Sequence, residues 1–140
     1  MQTFLPYPDF AQSARCLDRQ RLGKQRVECL QLLKALLVPG SGWANHPAAK
    51  MWKGYEACLI EYGFAVCDEW TYVRKYKDTV SGKLTDLMLD YGFESSKNPP
   101  WLGNEAFHAS HRSNLLRKDP VHYSKFGWTE PHDLPYVWLV

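Results

Sequence analysis

The segment 18–33, DRQRLGKQRVECLQLL, places Arg19, Arg21, Lys24 and Arg26 ahead of one acid, Glu28. Cations at the front of a helix oppose its macrodipole. An anion seated there reverses that penalty, and the phosphate backbone of a nucleic acid is such an anion. Arg21, Lys24, Glu28 and Gln31 follow at i, i+3, i+7 and i+10 and share one helical face, while Leu22, Cys29, Leu33 and Leu36 form another. The plain alternative is a solvated face with a Lys24–Glu28 pair, although lysine before glutamate is the weaker order.

A second group lies near the C-terminus. His108, His111 and Arg112 stand at i, i+3 and i+4, with Arg117 and Lys118 closing the segment. Three readings are open: contact with phosphates or bases, a His-x-x-His metal pair, or histidines that only satisfy hydrogen bonds. His46, His122 and His132 are scattered, so no metal site is expected. His46, directly before Pro47, is either a site residue or a helix cap. Trp43 and Trp101 fall in loops, where a ring can stack on a base or wedge into a duplex; core packing is the alternative.

Helices must position these groups. Asp9, with Gln12 three residues on, has the pattern of a capping box and predicts a short helix from about Phe10 to Leu17. The next helix runs through Glu28 and stops near VPGSGW. Pro47 suits a first helical turn. Met51, Tyr55, Cys58, Leu59, Tyr62 and Val66 then predict one long helix, bent at Gly63. DTVSGKLTDLMLDYGF predicts a further helix, SSKNPPWLG a loop, and NEAFHASHRSNLLRKDP a last helix stopped at Pro120. The apolar tail HDLPYVWLV is expected to pack back irregularly. Without strand-like alternation or internal repeats, the reading is all-α, a single domain over residues 1–140.

Hydrophobic residues at 45% and charged residues at 23% indicate a folded chain. A net charge of +2 is too small to indicate nucleic acid, so any basic footprint must come from clustering. No apolar run is long enough to span a bilayer and MQTFLPYPDF has no signal-peptide pattern. A cytoplasmic monomer is the expectation. Cys16, Cys29, Cys58 and Cys67 form no CxxC pair and read as reduced thiols, the last three in apolar helical patterns.

The stretch LDRQRLGKQRVECLQLL resembles the N-terminal helix of the pyrimidine dimer DNA glycosylases of the phage endonuclease V type. There a leucine-led helix carries basic residues and then one essential glutamate. GWANHPAAKMWKGYEACLIEYGFAVCDEW, with His46, Pro47, Trp52 and Tyr62, resembles the second part of that pattern. FHASHRSNLLRKDPVHY and DLPYVW are similar to segments of a subset of phage and bacterial proteins of this type.

The resemblance implies a chemistry. The N-terminal α-amine attacks C1′ of the damaged nucleotide, the base leaves, an imine forms, and β-elimination cuts the strand. A free α-amine titrates near ~7.7–8.0 and is partly neutral at pH 7, unlike a lysine near ~10.4. Glu28 matches the family glutamate, and a carboxylate beside the sugar can move protons and stabilise developing positive charge. In the phage enzyme a small residue, exposed by loss of the initiator methionine, is the nucleophile. Here Gln2 is bulky and predicts that Met1 stays. The expected catalytic pair is Met1 and Glu28. The expected DNA contacts are Gln2, Arg19, Arg21, Lys24, Arg26, His46, His108, His111 and Arg112. No cofactor is expected.

Three function classes follow. The first is a DNA glycosylase, with or without abasic-site lyase activity, acting on double-stranded DNA that contains a damaged or modified pyrimidine. It has to expose its target by flipping or kinking the duplex. The second is a non-catalytic DNA-binding module of the same fold. The third is a nuclease or hydrolase built on the histidine helix.

Overall fold

The structure is a computed structural model that describes residues 1–92 and 97–140. It is all-α, with no strand among the described residues. The helices are α1 (Phe10–Cys16), α2 (Arg19–Leu37), α3 (Pro47–Trp52), α4 (Glu56–Asp68), α5 (Val80–Tyr91), α6 (Glu105–Lys118) and α7 (Pro120–Tyr123). A 3-10 turn, Gly42–Asn45, precedes α3; a π-turn, Glu69–Val73, continues α4; a second 3-10 turn, Ser124–Phe126, follows α7.

Caps set most of the boundaries. The Asp9 carboxylate accepts the Gln12 N–H at 2.7 Å and starts α1. Asp18 accepts from Arg21 N–H and also pairs with the Arg21 guanidinium at 3.2 Å. Its negative charge at the front of α2 offsets the cations that crowd there. Burial raises the Asp18 pKa, but hydrogen bonds from Tyr123 and Arg21 outweigh it and hold the carboxyl below its ordinary value. Asn104 caps α6, and Asp119 caps α7 with Pro120 in its first turn.

The expected long helix bent at Gly63 is two helices. The chain breaks between α3 and α4, where Gly54 takes φ +88, a left-handed conformation that interrupts helical hydrogen bonding. Gly63 lies within α4 and serves packing instead. A Cβ there would stand 2.9 Å from Leu84 Cδ1, so its absence lets α5 approach closely. The loop expected over 95–103 is described from Lys97 onward; Phe93, Ser95 and Ser96 lie outside the described residues.

The core joins α2, α4 and α5 through Leu22, Cys29, Leu33, Leu59, Val66 and Leu84. Leu22, Cys29 and Leu33 are the expected apolar face of α2, all fully buried. The four cysteines are buried free thiols. The tail does pack back. Ser113 Oγ donates to Pro131 C=O and accepts Leu134 N–H at 3.0 Å, Asn114 Nδ2 donates to Leu134 C=O at 3.0 Å, and Val137 N–H reaches Ser110 Oγ at 3.3 Å. No helix among the described residues is long and apolar enough to cross a membrane.

Candidate active site

The charged face of α2 opens on a pocket of about 470 Å³. Gln20, Arg21, Lys24 and Glu28 form its floor, and Met1, Gln2 and Phe4 enter from the N-terminal segment. His46 closes one side, with Lys118 from the end of α6 and Tyr136 and Trp138 from the tail. Three cations, Arg21, Lys24 and Lys118, thus surround one carboxylate. That distribution suits an anionic ligand with one site for proton transfer.

Glu28 is largely buried, with 12% of its side chain exposed. Burial raises its pKa above the ordinary carboxylate value; the nearby N-terminal amine, Lys24 and the Gln2 backbone N–H partly offset this. Lys24 Nζ is 3.9 Å from Glu28, but the lysine side chain is 75% exposed. An exposed pair of this kind adds little stability, so Lys24 remains available to an anion. The amine also lies near His46. Burial first, then that positive charge, lower the His46 pKa. His46 Nδ1 accepts the Ala48 N–H at 3.1 Å, so the residue caps α3 as well as lining the pocket.

The N-terminal segment, residues 1–5, has no regular secondary structure, so neither helix nor sheet satisfies its backbone. Buried side chains do so instead. Gln25 Nε2 donates to Gln2 C=O at 2.9 Å, and Gln25 Oε1 accepts Phe4 N–H at 2.8 Å. The Tyr62 hydroxyl donates to Phe4 C=O, and Trp52 Nε1 donates to Thr3 Oγ1 at 3.0 Å. Leu5 N–H donates to His111 Nδ1 at 2.8 Å, and Leu5 C=O lies 2.7 Å from His108 Nδ1. Arg112 Nη1 donates to Pro6 C=O at 2.7 Å.

These bonds define both histidine tautomers. His108 Nε2 accepts the Gly103 N–H at 2.9 Å, which leaves its proton on Nδ1 for Leu5 C=O. His111 Nδ1 is an acceptor, so its proton is on Nε2. Burial pushes the His111 pKa down to about 3 and lowers that of His108. Both rings are neutral parts of the interior.

The other expected DNA contacts lie outside this pocket. His108 and His111 are 0% and 1% exposed and face the chain's own Leu5. They present no surface to a duplex and no open centre to a hydrolytic reaction. Arg112 is held by Glu130 at 2.6 Å, by Glu105 and by Pro6 C=O. Arg26 points away from the pocket, pairs with Asp78, and lies over the Trp70 ring at 4.4 Å. Arg19 is exposed and lines an adjoining concavity with Trp70, which shares Gln20 and Lys24 with the pocket. Trp101 is buried against Trp52 and Phe107, whereas Trp43 is 52% exposed, its ring 5.9 Å from that of His46. Met1, Gln2, Arg21, Lys24, Glu28 and His46 are brought together.

Phe4, Gln20, Lys118, Tyr136 and Trp138 complete the pocket and were not among the expected contacts. The i, i+2 spacing of Tyr136 and Trp138, which places both on one side of an extended tail, was a readable signal. Among the described residues no group of three His, Cys, Asp or Glu could hold a metal ion.

No curated protein and no solved structure matches the chain. The family model described as pyrimidine dimer DNA glycosylase matches residues 1–83, a stretch that holds Met1, Glu28 and all of α2. With more than half of the 140 residues matched, the chain belongs to the pyrimidine dimer DNA glycosylase family.

Proposed function

We propose that the chain removes a damaged pyrimidine from duplex DNA, with the α-amine of Met1 as nucleophile and Glu28 as the acid–base group. The observation that carries this reading is the meeting of Met1 and Glu28 in one cation-rimmed pocket, with the amine close enough to lower the carboxyl's pKa. The neutral amine attacks C1′. The C1′–N bond breaks, and its electron pair leaves with the base, which takes up a proton. The amine gives up a proton to the ionised Glu28, and the sugar ring opens to an imine. Loss of a C2′ proton then expels the 3′ phosphate, which is the lyase step. Arg21, Lys24 and Lys118 hold the flanking phosphates, and Gln2, Gln20 and His46 line the space that receives the nucleotide.

Glu28→Gln nearly preserves shape and helix propensity but removes the charge and the titratable proton. Cleavage of the damaged nucleotide's glycosidic bond in a UV-irradiated duplex is expected to fall by a factor on the order of 10² or more, with DNA affinity nearly unchanged. Borohydride should trap a protein–DNA imine with the wild type, and intact mass should show Met1 retained and carrying the adduct. Salt-dependent binding without trapping or glycosidic cleavage would instead make the chain a non-catalytic DNA-binding member of its family. Full glycosidic cleavage by Glu28→Gln would remove the glutamate from the mechanism.

A further inference from the structure

We infer that His108 and His111 are positioning residues for the Met1 amine: by holding the C=O and N–H of Leu5, they set the register at which the N-terminal segment enters the pocket. The inference rests on the reading of Met1 as nucleophile. Both histidines lie on α6, outside the residues 1–83 that the family model matches. The grip is thus supplied by a part of the chain the family model does not cover.

The argument is geometric. Leu5 is the first residue of the segment whose N–H and C=O are both held by α6, four residues from the amine. A chain spans at most ~3.3–3.6 Å per residue, so a slip of one residue shifts the amine by up to about that distance. Such a slip would carry the amine away from Glu28 and eject the buried Thr3 and Leu5. Misplacement by ~1 Å at a reacting centre can cost on the order of 10² in rate. Gln25 holds Gln2 C=O and Phe4 N–H, and Tyr62 holds Phe4 C=O, from α2 and α4 respectively. The histidines close the set from α6.

The residue type fits the task. The i, i+3 spacing on α6 sets two rings against one residue. One ring must accept and the other donate, and neutral imidazole does either according to tautomer. The Gly103 N–H fixes the His108 tautomer from behind, so the donor faces Leu5. Arg112, one turn on from His108, extends the same grip to Pro6.

The test compares three substitutions at His111. His111→Asn keeps an acceptor near the position of Nδ1, His111→Gln moves it outward, and His111→Leu removes it. Each is assayed for borohydride trapping under single-turnover, saturating conditions, on a UV-irradiated duplex and on an abasic-site duplex. Binding affinity and thermal melting are measured beside them. In the folded proteins, His111→Leu and His111→Gln should trap on the order of 10² more slowly on both duplexes, with affinity changed less than about twofold, while His111→Asn recovers most of the rate. If His111→Leu does not fold, the Gln-against-Asn comparison decides alone. Wild-type rates in folded Leu or Gln variants would overturn the inference while leaving the proposed function standing. So would losses that follow melting temperature without rescue by Asn. Absence of trapping by the wild type on either duplex would overturn both.

Discussion

At the scale of single residues, two opposing effects set the state of Glu28. Burial disfavours its charge, and the amine, Lys24 and the Gln2 N–H favour it; burial wins. If catalysis requires the ionised form, activity should show an acid-side loss, above the ordinary carboxylate value of 4.5, that adds to the loss from protonating the amine nucleophile and is absent from Glu28→Gln. A pH series of single-turnover glycosidic cleavage by both proteins checks this, and acid limbs of the same shape in the two would contradict it. The cations divide in a second measurable way. Lys24→Ala should lower the salt dependence of DNA binding by about one unit of slope. Arg26→Ala should leave that slope unchanged and destabilise the fold by roughly 1–3 kcal/mol, because Asp78 loses its buried partner but keeps the N–H groups of Val80 and Ser81. Salt titrations and denaturation of both variants separate these outcomes. Helical spacing made the first of these residues legible: Arg21, Lys24 and Glu28 do share a pocket. Arg26 sits among similar residues in sequence, but its role depends on an acid 52 positions away, which periodicity cannot pair with it.

At the scale of elements, caps were legible because they are local. Asp9 and Pro47 mark helix starts as expected, and Pro120, read only as the stop of α6, also opens α7. The irregularity was expected at Gly63 and falls at Gly54, because both interrupt an apolar periodicity equally well in sequence. Only the packing of α5 shows that Gly63 is needed for close approach, whereas Gly54 is needed for its backbone angle. No atom lies within 4 Å of a Cβ built at Gly54, so Gly54→Ala carries a conformational cost alone. A loss of about 1–2 kcal/mol is expected, measured by chemical denaturation. A neutral result would show that the turn between α3 and α4 relaxes to another angle. The spacing of His108 and His111 was equally legible, but not its direction: the same i, i+3 pattern describes an outward binding face and an inward one.

At the scale of the whole molecule, the buried histidines link stability to pH. His111 titrates near 6.5 when unfolded and at about 3 when folded, so the folded chain resists its protonation. Its contribution is fully present above 6.5 and is lost progressively as pH falls towards 3, at up to about 1.4 kcal/mol per pH unit. His108, also lowered, acts in the same direction, and the raised carboxyl of Glu28 opposes both. Denaturant midpoints should decline from pH 7 to pH 5 in the wild type and decline less in His111→Asn. Equal slopes would mean that His111 keeps an ordinary pKa in the fold.

The segment that carries Met1 has a consequence for the order of assembly. Its Leu5 is tied to His111 across 106 positions of chain. During synthesis the reactive end leaves the ribosome first, yet the rings that seat it are made when most of the chain is already out. Closing so long a loop is slow compared with winding the helices between. A nascent chain that has completed α2 thus has Gln25 to hold Gln2 and Phe4 but not yet the rings that hold Leu5. On the proposed function and the positioning role inferred for α6, a product truncated before α6 bears every residue the family model matches and yet does not react with DNA.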